Sequence, residues 1–473
     1  MFDDLLSTSL SSSLLLFALS PGVETFIYNF ANGFVAWIST LTIWDFITLT
    51  WFAFIIDISR NVGKAIILAS DHFLRKWKKE YHYYSSSSLS APFSTTTTTT
   101  TTDSDSRSSS SGGGSAVVGR FEPNISIIVP AHNEGAAIKH TIQSLLENSY
   151  PNKEIIVVDD HSTDNTYQEA LPFMQKGQIK LVQRKSGKGS KSSAINYGVV
   201  FATGDYIMIM DGDTLVERTA IQEVVNQLGV RGVSAVSGNV RIFAGDGGKR
   251  NLLTRLQSYE YLVAFEVGRR YNALMNMLII IPGAFGVFPR SLGKEIGMYD
   301  TDTIGEDFDL TIKLLKTGGK VSFASNAIAW TYCPNNWKGW LRQRIRWAHG
   351  QLAVLMKHKD TTGVYNTYRR QLVVAFYDMI MMDIVLVFVR MAGFAWVIAA
   401  YGDRLAYVML MMLLLYLGNE LVAILTAALF SPRKEDLKYV YLVPIMVFFY
   451  RPFYSCVRLY AYLKRLLKKD ATW

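Results

Sequence analysis

Short, continuously apolar strands alternate with amphipathic helices through the middle of the chain, and this pattern restricts the fold more than any other feature. Residues 125–130, 155–158 and 206–210 are three such strands, and residues 136–147 have a helical pattern. Apolar strands separated by helices are typical of a parallel sheet covered on both faces. In such a sheet, ligands bind beyond the carboxyl ends of the strands. The sequence therefore predicts an α/β domain with a ligand site at that edge.

Acidic residues follow two of these strands at the point where each strand ends. Asp159 and Asp160 end the second strand, and Asp211 and Asp213 flank a glycine after the third. Carboxylate oxygens are the ligands that Mg2+ and Mn2+ prefer, so Asp211 and Asp213 can hold a cation that bridges a diphosphate. A single Asp-x-Asp is more often only a turn, because Asp caps turns. The second acidic cluster upstream favours the metal site.

A basic, glycine-rich segment lies between those strands at residues 185–193. Its Lys188 is followed by Gly189, so the segment lacks the Gly-Lys-Ser/Thr sequence of a P-loop. The segment still opens a helix, and a diphosphate can rest on Lys191 and on the N-terminal amides of that helix. A solvated basic loop is the alternative that the charges alone allow.

Glu306 and Asp307 begin a predicted helix that continues to residue 315. The helix dipole favours acidic residues in a first turn, which is a purely structural explanation. A carboxylate within hydrogen-bond reach of an acceptor hydroxyl can also take its proton, and Asp307 is the candidate for that role.

Gln343-Arg344-Ile345-Arg346-Trp347 precedes the most apolar part of the chain. An arginine pairs with phosphate oxygens through its forked donors. An indole face can stack on a pyranose ring while its edge donates a hydrogen bond. This segment therefore predicts a site for a sugar held against a diphosphate, close to a membrane.

The composition indicates a chain that is partly embedded in a membrane. Of 473 residues, 49% are apolar and only 18% are charged. The net charge of +9 is better explained by cytoplasmic flanks beside anionic lipid than by nucleic-acid binding, because the basic residues adjoin apolar runs and no nucleic-acid motif is present. The two cysteines, Cys333 and Cys456, cannot build a disulfide framework or a zinc site.

Apolar and low-complexity stretches divide the chain into regions. We predict an N-terminal membrane anchor of one or two spans at 1–80, a disordered Ser/Thr/Gly linker at 81–120, a cytosolic catalytic domain at 121–335, interfacial helices at 336–370 and a transmembrane region at 371–473. Basic residues after residue 60 favour a multi-pass protein of the cell membrane with its catalytic domain in the cytoplasm. Basic residues flank the last apolar segment, 439–462, on both sides, so either that segment is re-entrant or interfacial, or residues 372–400 do not make a single crossing.

Taken together, these motifs resemble those of the processive family-2 glycosyltransferases, which include the cellulose, chitin, hyaluronan and poly-N-acetylglucosamine synthases. The resemblance covers about residues 125–347 and implies a GT-A-like fold. It also implies that Ala131 and Glu134 contact the nucleotide, together with Asp160, and that Lys191 binds the donor diphosphate.

The same resemblance implies the catalytic centre. It assigns the metal and the diphosphate to Asp211 and Asp213, a substrate contact to Glu306 and the catalytic base to Asp307. One departure is Gly305, which stands where the family usually has threonine; this removes a hydroxyl but leaves both carboxylates.

In that family, the residues matching Gln343, Arg346 and Trp347 bind the diphosphate and line the acceptor terminus at a channel entrance. The resemblance therefore implies an inverting, processive enzyme that uses Mg2+ or Mn2+, polymerises a UDP-sugar and translocates a β-linked polysaccharide, with an accessory or regulatory subunit as a further partner. UDP-N-acetylglucosamine is the favoured donor. Two alternatives stay open: a non-processive transferase to a polyprenyl phosphate, and a catalytically silent membrane receptor or scaffold.

Overall fold

The structure is a computed structural model, and it describes residues 21–45, 56–87, 121–187, 189–230, 232–243, 251–363 and 367–467. Most of the predicted linker at 81–120 lies outside these ranges, as do parts of the predicted N-terminal spans and Lys188. The chain divides into two units. The first joins Met1–Arg60 to Arg390–Gly418, and the second joins Asn61–Val389 to Asn419–Trp473.

In the second unit, eight strands form one sheet. Their bounds are β1 Ile125–Ala131, β2 Lys153–Asp160, β3 Lys180–Arg184, β4 Tyr206–Met210, β5 Thr214–Val216, β6 Val233–Ile242, β7 Phe285–Pro289 and β8 Lys320–Thr331. The order across the sheet is β3-β2-β1-β4-β7-β6-β8-β5. Pairings β1–β2, β1–β4, β2–β3 and β6–β8 are parallel, whereas β4–β7, β6–β7 and β5–β8 are antiparallel. The sheet is therefore mixed, with an antiparallel strand at its centre that the apolar pattern does not predict.

Helices connect and cover these strands. Before and within the sheet they are α1 Pro21–Thr40, α2 Ser59–Ser87, α3 Ile138–Glu147, α4 Thr166–Gln175, α5 Lys191–Val200, α6 Ala220–Leu228, α7 Leu252–Val263, α8 Arg270–Leu274, α9 Arg290–Glu295 and α10 Glu306–Lys316. After the sheet they are α11 Trp337–Lys357, α12 Arg370–Met379, α13 Leu386–Ala400, α14 Leu405–Phe430, α15 Val443–Ile445 and α16 Arg451–Leu467. Segments of π-helix continue α7 at Ala264–Arg269, α12 at Ile380–Val385 and α15 at Met446–Tyr450.

The predicted strands are almost completely buried, as their apolar sequences require. All seven residues of β1 are buried, and residues 155–160 of β2 are buried as well. The core that surrounds them extends into the C-terminal part of the chain, because Leu372, Ala375 and Phe376 of α12 belong to it. The first turns of α12 therefore pack against the catalytic domain.

The first unit has a small apolar core of its own. Trp37 of α1 packs with Val397, Val408 and Met411. Helix α1 ends at Thr40, and a second helical turn begins after Thr42, whose amide and hydroxyl both donate to the Asp45 carboxylate. Within the predicted N-terminal anchor, the helix is thus interrupted at residues 41–42.

Three helical segments in the described part of the chain are long and apolar enough to cross a membrane. They are Arg370–Ala400, Gly402–Phe430 and Lys434–Leu467. Helix α11, which contains the Gln343–Trp347 motif, precedes them and lies within the region predicted to form interfacial helices at 336–370.

Candidate active site

One cavity of about 890 Å³ lies in the second unit at the carboxyl ends of β1, β2 and β4. All eleven residues predicted to form the site line it: Ala131, Glu134, Asp160, Lys191, Asp211, Asp213, Glu306, Asp307, Gln343, Arg346 and Trp347. The structure thus brings together motifs that are more than 200 positions apart in the sequence. Their individual roles stay predictions.

Three carboxylates face one another where β4 ends. Asp211 and Asp213 flank Gly212, whose position for a Cβ atom is 3.1 Å from Cγ of Glu134. Burial and the charges of Asp213 and Asp211 raise the pKa of Glu134 to about 7. Burial and the charge of Asp211 likewise raise the pKa of Asp213 to about 6. A cation between these groups would relieve this repulsion.

Lys191 is the cation that the chain itself supplies to this cluster. It is the first residue of α5, whose N-terminus is capped by Ser190 through a 3.2 Å hydrogen bond from the Ser193 amide. Its ammonium forms an ion pair with Asp211 and is 4.0 Å from the Glu306 carboxylate. Burial opposes its charge, but Asp211 and Glu306 outweigh that effect and raise the pKa of Lys191.

Asp160 organises the loop that leads to Lys191. Its buried carboxylate accepts a 2.7 Å hydrogen bond from Arg184, one at 2.8 Å from His161 when that ring carries the Nδ1 proton, and one at 3.2 Å from the Ser190 amide. The predicted nucleotide contact of Asp160 therefore coexists with a structural role. These bonds hold the glycine-rich loop against the end of β2.

Asp307 is fixed by two backbone amides. Its Oδ1 accepts a 2.8 Å hydrogen bond from Phe308, and its Oδ2 accepts a 3.3 Å bond from Gly283. A Cβ atom on Gly283 would lie 2.9 Å from the Lys191 ammonium nitrogen and 3.6 Å from Cβ of Asp307, so a side chain there would displace the lysine. The Asp307 carboxylate lines the cavity next to Glu306, whose pKa is raised by burial and by the charge of Asp307.

The residues of the motif on α11 differ in burial. Gln343, Arg346 and Trp347 line the cavity, and Trp347 is 37% exposed. Arg344 also borders the cavity but is only 1% exposed. It pairs with Glu260 at 2.7 Å, and its guanidinium carbon is 4.3 Å from the centre of the Trp347 ring. Arg344 therefore packs against the tryptophan and supports it.

Other residues that line the cavity are not among the predicted site residues. Tyr261 and Arg269 come from the helical segment that follows β6, and Asp383, Tyr454 and Arg458 come from the apolar C-terminal segments. Burial lowers the pKa of Arg269 to about 10, which still leaves it charged at neutral pH near Asp307. These residues belong to no sequence motif, so one sequence alone does not identify them. A polar side chain within an apolar segment was the available signal.

The sequence of α11 contains a pattern that indicates a buried and paired Arg344. Trp340, Arg344 and Ala348 recur at intervals of four and are all buried, so the helical period places Arg344 on the inner face. A charged residue on such a face usually has a partner. The partner, Glu260, is 84 positions away in the sequence and could not be identified from it.

Comparison with known proteins agrees with this geometry. Residues 126–296 match the family described as Glycosyl transferase family 2. A poly-beta-1,6-N-acetyl-D-glucosamine synthase of Staphylococcus epidermidis is 30% identical over 257 residues, which cover 54% of this chain and 61% of that protein. A probable glycosyltransferase, YdaM of Bacillus subtilis, is 34% identical over 50% of this chain and 57% of its own length.

Among solved structures, a mannosyltransferase from Pyrobaculum calidifontis, in complex with GDP-Man and Mn2+, has a similar fold. It is 19% identical, and the match covers 86% of this chain and 99% of that chain with a TM-score of 0.50. The chain spans about six tenths of the length of the curated relatives named above. The predicted fold class is confirmed: residues 126–296 are a family-2 glycosyltransferase domain with a GT-A-like fold, as the predicted enzyme class requires.

Proposed function

We propose that this enzyme transfers N-acetylglucosamine from UDP-N-acetylglucosamine to the end of a growing β-linked polysaccharide and passes the product into a membrane. The observation that carries the proposal is the cavity. Its lining begins at the acidic cluster of Asp211 and Asp213, passes Asp307 and Trp347, and ends at Arg458 of the last apolar segment. Donor, catalytic and exit residues therefore share one space.

The donor assignment rests on the names of the relatives and on the chemistry of the cluster. The relatives in Staphylococcus are synthases of a poly-N-acetylglucosamine, which favours the UDP-linked form of that sugar. Lys191 lies at the N-terminus of α5, where backbone amides also favour a diphosphate. Arg346 lines the same cavity, and its charge partly offsets the burial and the Asp307 charge that raise the pKa of Glu306, so a guanidinium is available to the diphosphate as well.

The donor set fits Mg2+ or Mn2+. Asp211 and Asp213 offer hard oxygen ligands, and the raised pKa values of Asp213 and Glu134 express a surplus of negative charge. Among the residues that the structure describes, no group of three or more His, Cys, Asp or Glu side chains is arranged around a metal position. Asp211 and Asp213 are the residues that would hold the cation. Bound there, it would supply positive charge beside the leaving diphosphate.

Asp307 is the proposed general base. Its two amide contacts hold the carboxylate at the cavity, where an acceptor hydroxyl can donate to it. As the proton moves to Asp307, the acceptor oxygen forms a bond to the anomeric carbon, and the bond from that carbon to the UDP oxygen breaks. Lys191 and Arg346 stabilise the charge that develops on UDP. A single displacement of this kind inverts the configuration at the anomeric carbon.

The acceptor is proposed to stack on Trp347 and to leave past Asp383, Tyr454 and Arg458. The indole is partly exposed in the cavity and is supported from below by Arg344. Polar residues within apolar segments usually line a protein interface or a water-filled path. This route supports a processive enzyme of the cell membrane whose catalytic domain is cytoplasmic, with basic residues after residue 60 on the same side.

The test is incubation of the purified full chain, in lipid nanodiscs, with UDP-[14C]N-acetylglucosamine and Mg2+ or Mn2+. Radioactive polymer that a β-N-acetylglucosaminidase degrades is the expected product. UDP-glucose and UDP-glucuronate in parallel reactions determine the donor. A label found only on added polyprenyl phosphate, or no transfer from any donor, would contradict the proposal.

A further inference from the structure

We propose that the third apolar segment, Lys434–Leu467, does not cross the membrane. Instead it lies along the membrane surface beside α11, with both of its ends on the side of the catalytic domain and its outer face in the interfacial region of an anionic bilayer. This inference rests on the membrane location in the proposed function. Length and composition alone give the opposite answer, because the segment is 34 residues long and apolar enough to span.

The beginning of the segment is tied to the catalytic domain. Arg433 forms an ion pair with Glu217, and its guanidinium carbon is 4.8 Å from the centre of the Trp330 ring on β8. Asp436 is 3.2 Å from Arg241 on β6, and both side chains are buried. A buried ion pair in an interior of low dielectric is costly to separate. Residues 433–436 therefore belong to the catalytic side of the membrane.

The remainder of the segment runs beside α11 in the same direction. Trp340 donates a 2.9 Å hydrogen bond to the Tyr450 hydroxyl near the start of α11. Farther along, His349 is 3.0 Å from the carbonyl oxygen of Ala461, and Tyr462 donates a 2.8 Å hydrogen bond to Gln351. Because contacts recur at corresponding points along both helices, α16 crosses a bilayer only if α11 does.

Helix α11 is tied to the catalytic domain at both ends. Before its first turn, the carbonyl oxygen of Pro334 accepts a 2.8 Å hydrogen bond from Gln257 of α7. At its last turn, Lys357 is 2.6 Å from Asp300, 2.9 Å from Asp302 and 3.3 Å from Asp309. A helix of 21 residues is about 30 Å long, roughly the thickness of the hydrocarbon core. With both ends on the domain, α11 cannot have one end across the bilayer.

The division of the chain into two units also distinguishes the third apolar segment from the first two. Asn419–Trp473 belongs entirely to the unit that contains the catalytic domain. The other two segments are each divided, and their residues Arg390–Gly418 belong to the unit that contains the N-terminal helix α1. The first of these segments starts at the catalytic domain, where Arg369 donates a 2.9 Å hydrogen bond to the Gly318 carbonyl oxygen. The second ends there, where Arg270 donates a 2.8 Å hydrogen bond to the Phe430 carbonyl oxygen.

The outer face of the segment has the composition of a membrane interface. Phe448 is 78% exposed and Leu467 is 81% exposed, and Phe449, Phe453 and Tyr460 are exposed between them. Aromatic side chains are favoured at the level of the lipid headgroups, and a helix with one apolar face can lie in that plane. Lys464 and Arg465 follow the aromatic face and match an anionic headgroup. The occupant that fits this face is therefore a lipid surface.

The test is the accessibility of single cysteines in the full chain. Cys333→Ala and Cys456→Ala provide the background, to which Lys438→Cys, Lys464→Cys, Asp403→Cys or Lys176→Cys is added. Sealed membrane vesicles that enclose the catalytic domain are treated with a membrane-impermeant maleimide before and after permeabilisation. We expect Asp403→Cys, between the first two apolar segments, to react in sealed vesicles. The variants at Lys438, Lys464 and the catalytic-domain residue Lys176 should react only after permeabilisation.

Two results at residue 464 would overturn the inference while leaving the proposed function intact. One is reaction of Lys464→Cys in sealed vesicles, which would show a crossing between residues 438 and 464. The other is a failure of Lys464→Cys to react after permeabilisation although Lys438→Cys reacts, which would show that this end is in the hydrocarbon core. If Asp403→Cys reacts only after permeabilisation, the first two segments do not cross, and the membrane passage in the proposed function fails, whereas the inference is still decided by residues 438 and 464.

Discussion

The backbones of Gly305 and Gly350 are in contact. A Cβ atom on Gly305 would lie 3.2 Å from the carbonyl oxygen of Gly350, and one on Gly350 would lie 3.2 Å from the amide nitrogen of Gly305. Gly305 precedes the helix of Asp307, and Gly350 follows Trp347 by one turn in α11. The contact favours glycine at both positions, since a longer side chain would separate the two helices.

Gly305→Ala should therefore lower both stability and activity. Its new methyl group would press on Gly350 and Val354, and such overpacking typically costs about 1–3 kcal/mol. We expect a lower melting temperature of the detergent-purified chain and slower transfer. Gly63→Ala, whose Cβ atom would meet nothing within 4 Å, is the control. Equal melting temperatures for the two variants would argue against close packing here.

Asp307→Asn should abolish polymer formation and leave UDP binding nearly intact. The amide keeps the size of the side chain but cannot accept a proton, and loss of a general base typically slows a reaction roughly 100- to 10,000-fold. Transfer rate and UDP affinity by calorimetry are the two measurements. Asp302→Asn, an exposed aspartate in the neighbouring loop, should change neither by much. Weaker UDP binding by Asp307→Asn would mean that Asp307 contacts the donor.

Arg344→Lys should weaken acceptor binding more than donor binding. Lysine keeps the charge opposite Glu260 but loses the planar group that supports Trp347. A cation–π contact contributes about 1–2 kcal/mol when desolvated, so the KM for an added oligosaccharide acceptor should rise roughly five- to thirtyfold. Arg342→Lys, on the exposed side of the same helix, is the matched control. An unchanged acceptor KM with a raised KM for UDP-sugar would assign Arg344 to the donor instead.

Removal of divalent cations should stop transfer reversibly. A chelator removes several kcal/mol of transition-state stabilisation, so we expect the transfer rate to fall about 100-fold or more. Added Mn2+ should restore the rate. Asp213→Asn should remove Mn2+ binding, measured by electron paramagnetic resonance in the presence of UDP, whereas Asp205→Asn on an exposed turn should not. Full Mn2+ affinity in Asp213→Asn would exclude that residue as a ligand.

Glu154 should stabilise the sheet at neutral pH and lose this effect in acid. Burial alone would raise its pKa, but hydrogen bonds from Lys180, Ser126 and Thr203 outweigh burial and hold the pKa at about 2. A carboxylate with a lowered pKa contributes its full stability above its unfolded value of about 4.3 and loses it as the pH falls towards 2. Glu154→Gln should lower the free energy of unfolding by about 1–3 kcal/mol at pH 7. The difference in melting temperature from the native chain should shrink at pH 3, and a constant difference would contradict the assignment.

The site could be predicted from the sequence where chemistry follows a strand directly. Asp160, Asp211 and Asp213 come immediately after apolar strands, and parallel strands bring their carboxyl ends to one edge. Lys191 was identifiable because it opens a helix after a glycine-rich segment. In each case the information is local: a strand, its end and the residue type that follows.

Long-range pairing could not be predicted. Strand β7 is short and apolar, and nothing in its sequence indicates that it enters the sheet antiparallel between β4 and β6. The pairing of Arg344 with Glu260 and the contact of Gly305 with Gly350 could not be predicted either, because the partners are far apart in the sequence. The last apolar segment shows it most clearly, because its hydropathy is that of a membrane span while its contacts tie it to the catalytic domain.

The two outermost strands of the sheet are protected in different ways. Strand β5 has only three residues, and β3 has a charged residue at each end, where Lys180 pairs with Glu154 and Arg184 with Asp160. Short or charged borders discourage the addition of a foreign strand. Neighbouring copies of the chain therefore have no long uncharged sheet edge to share, and an ordered assembly of copies would have to form through other surfaces.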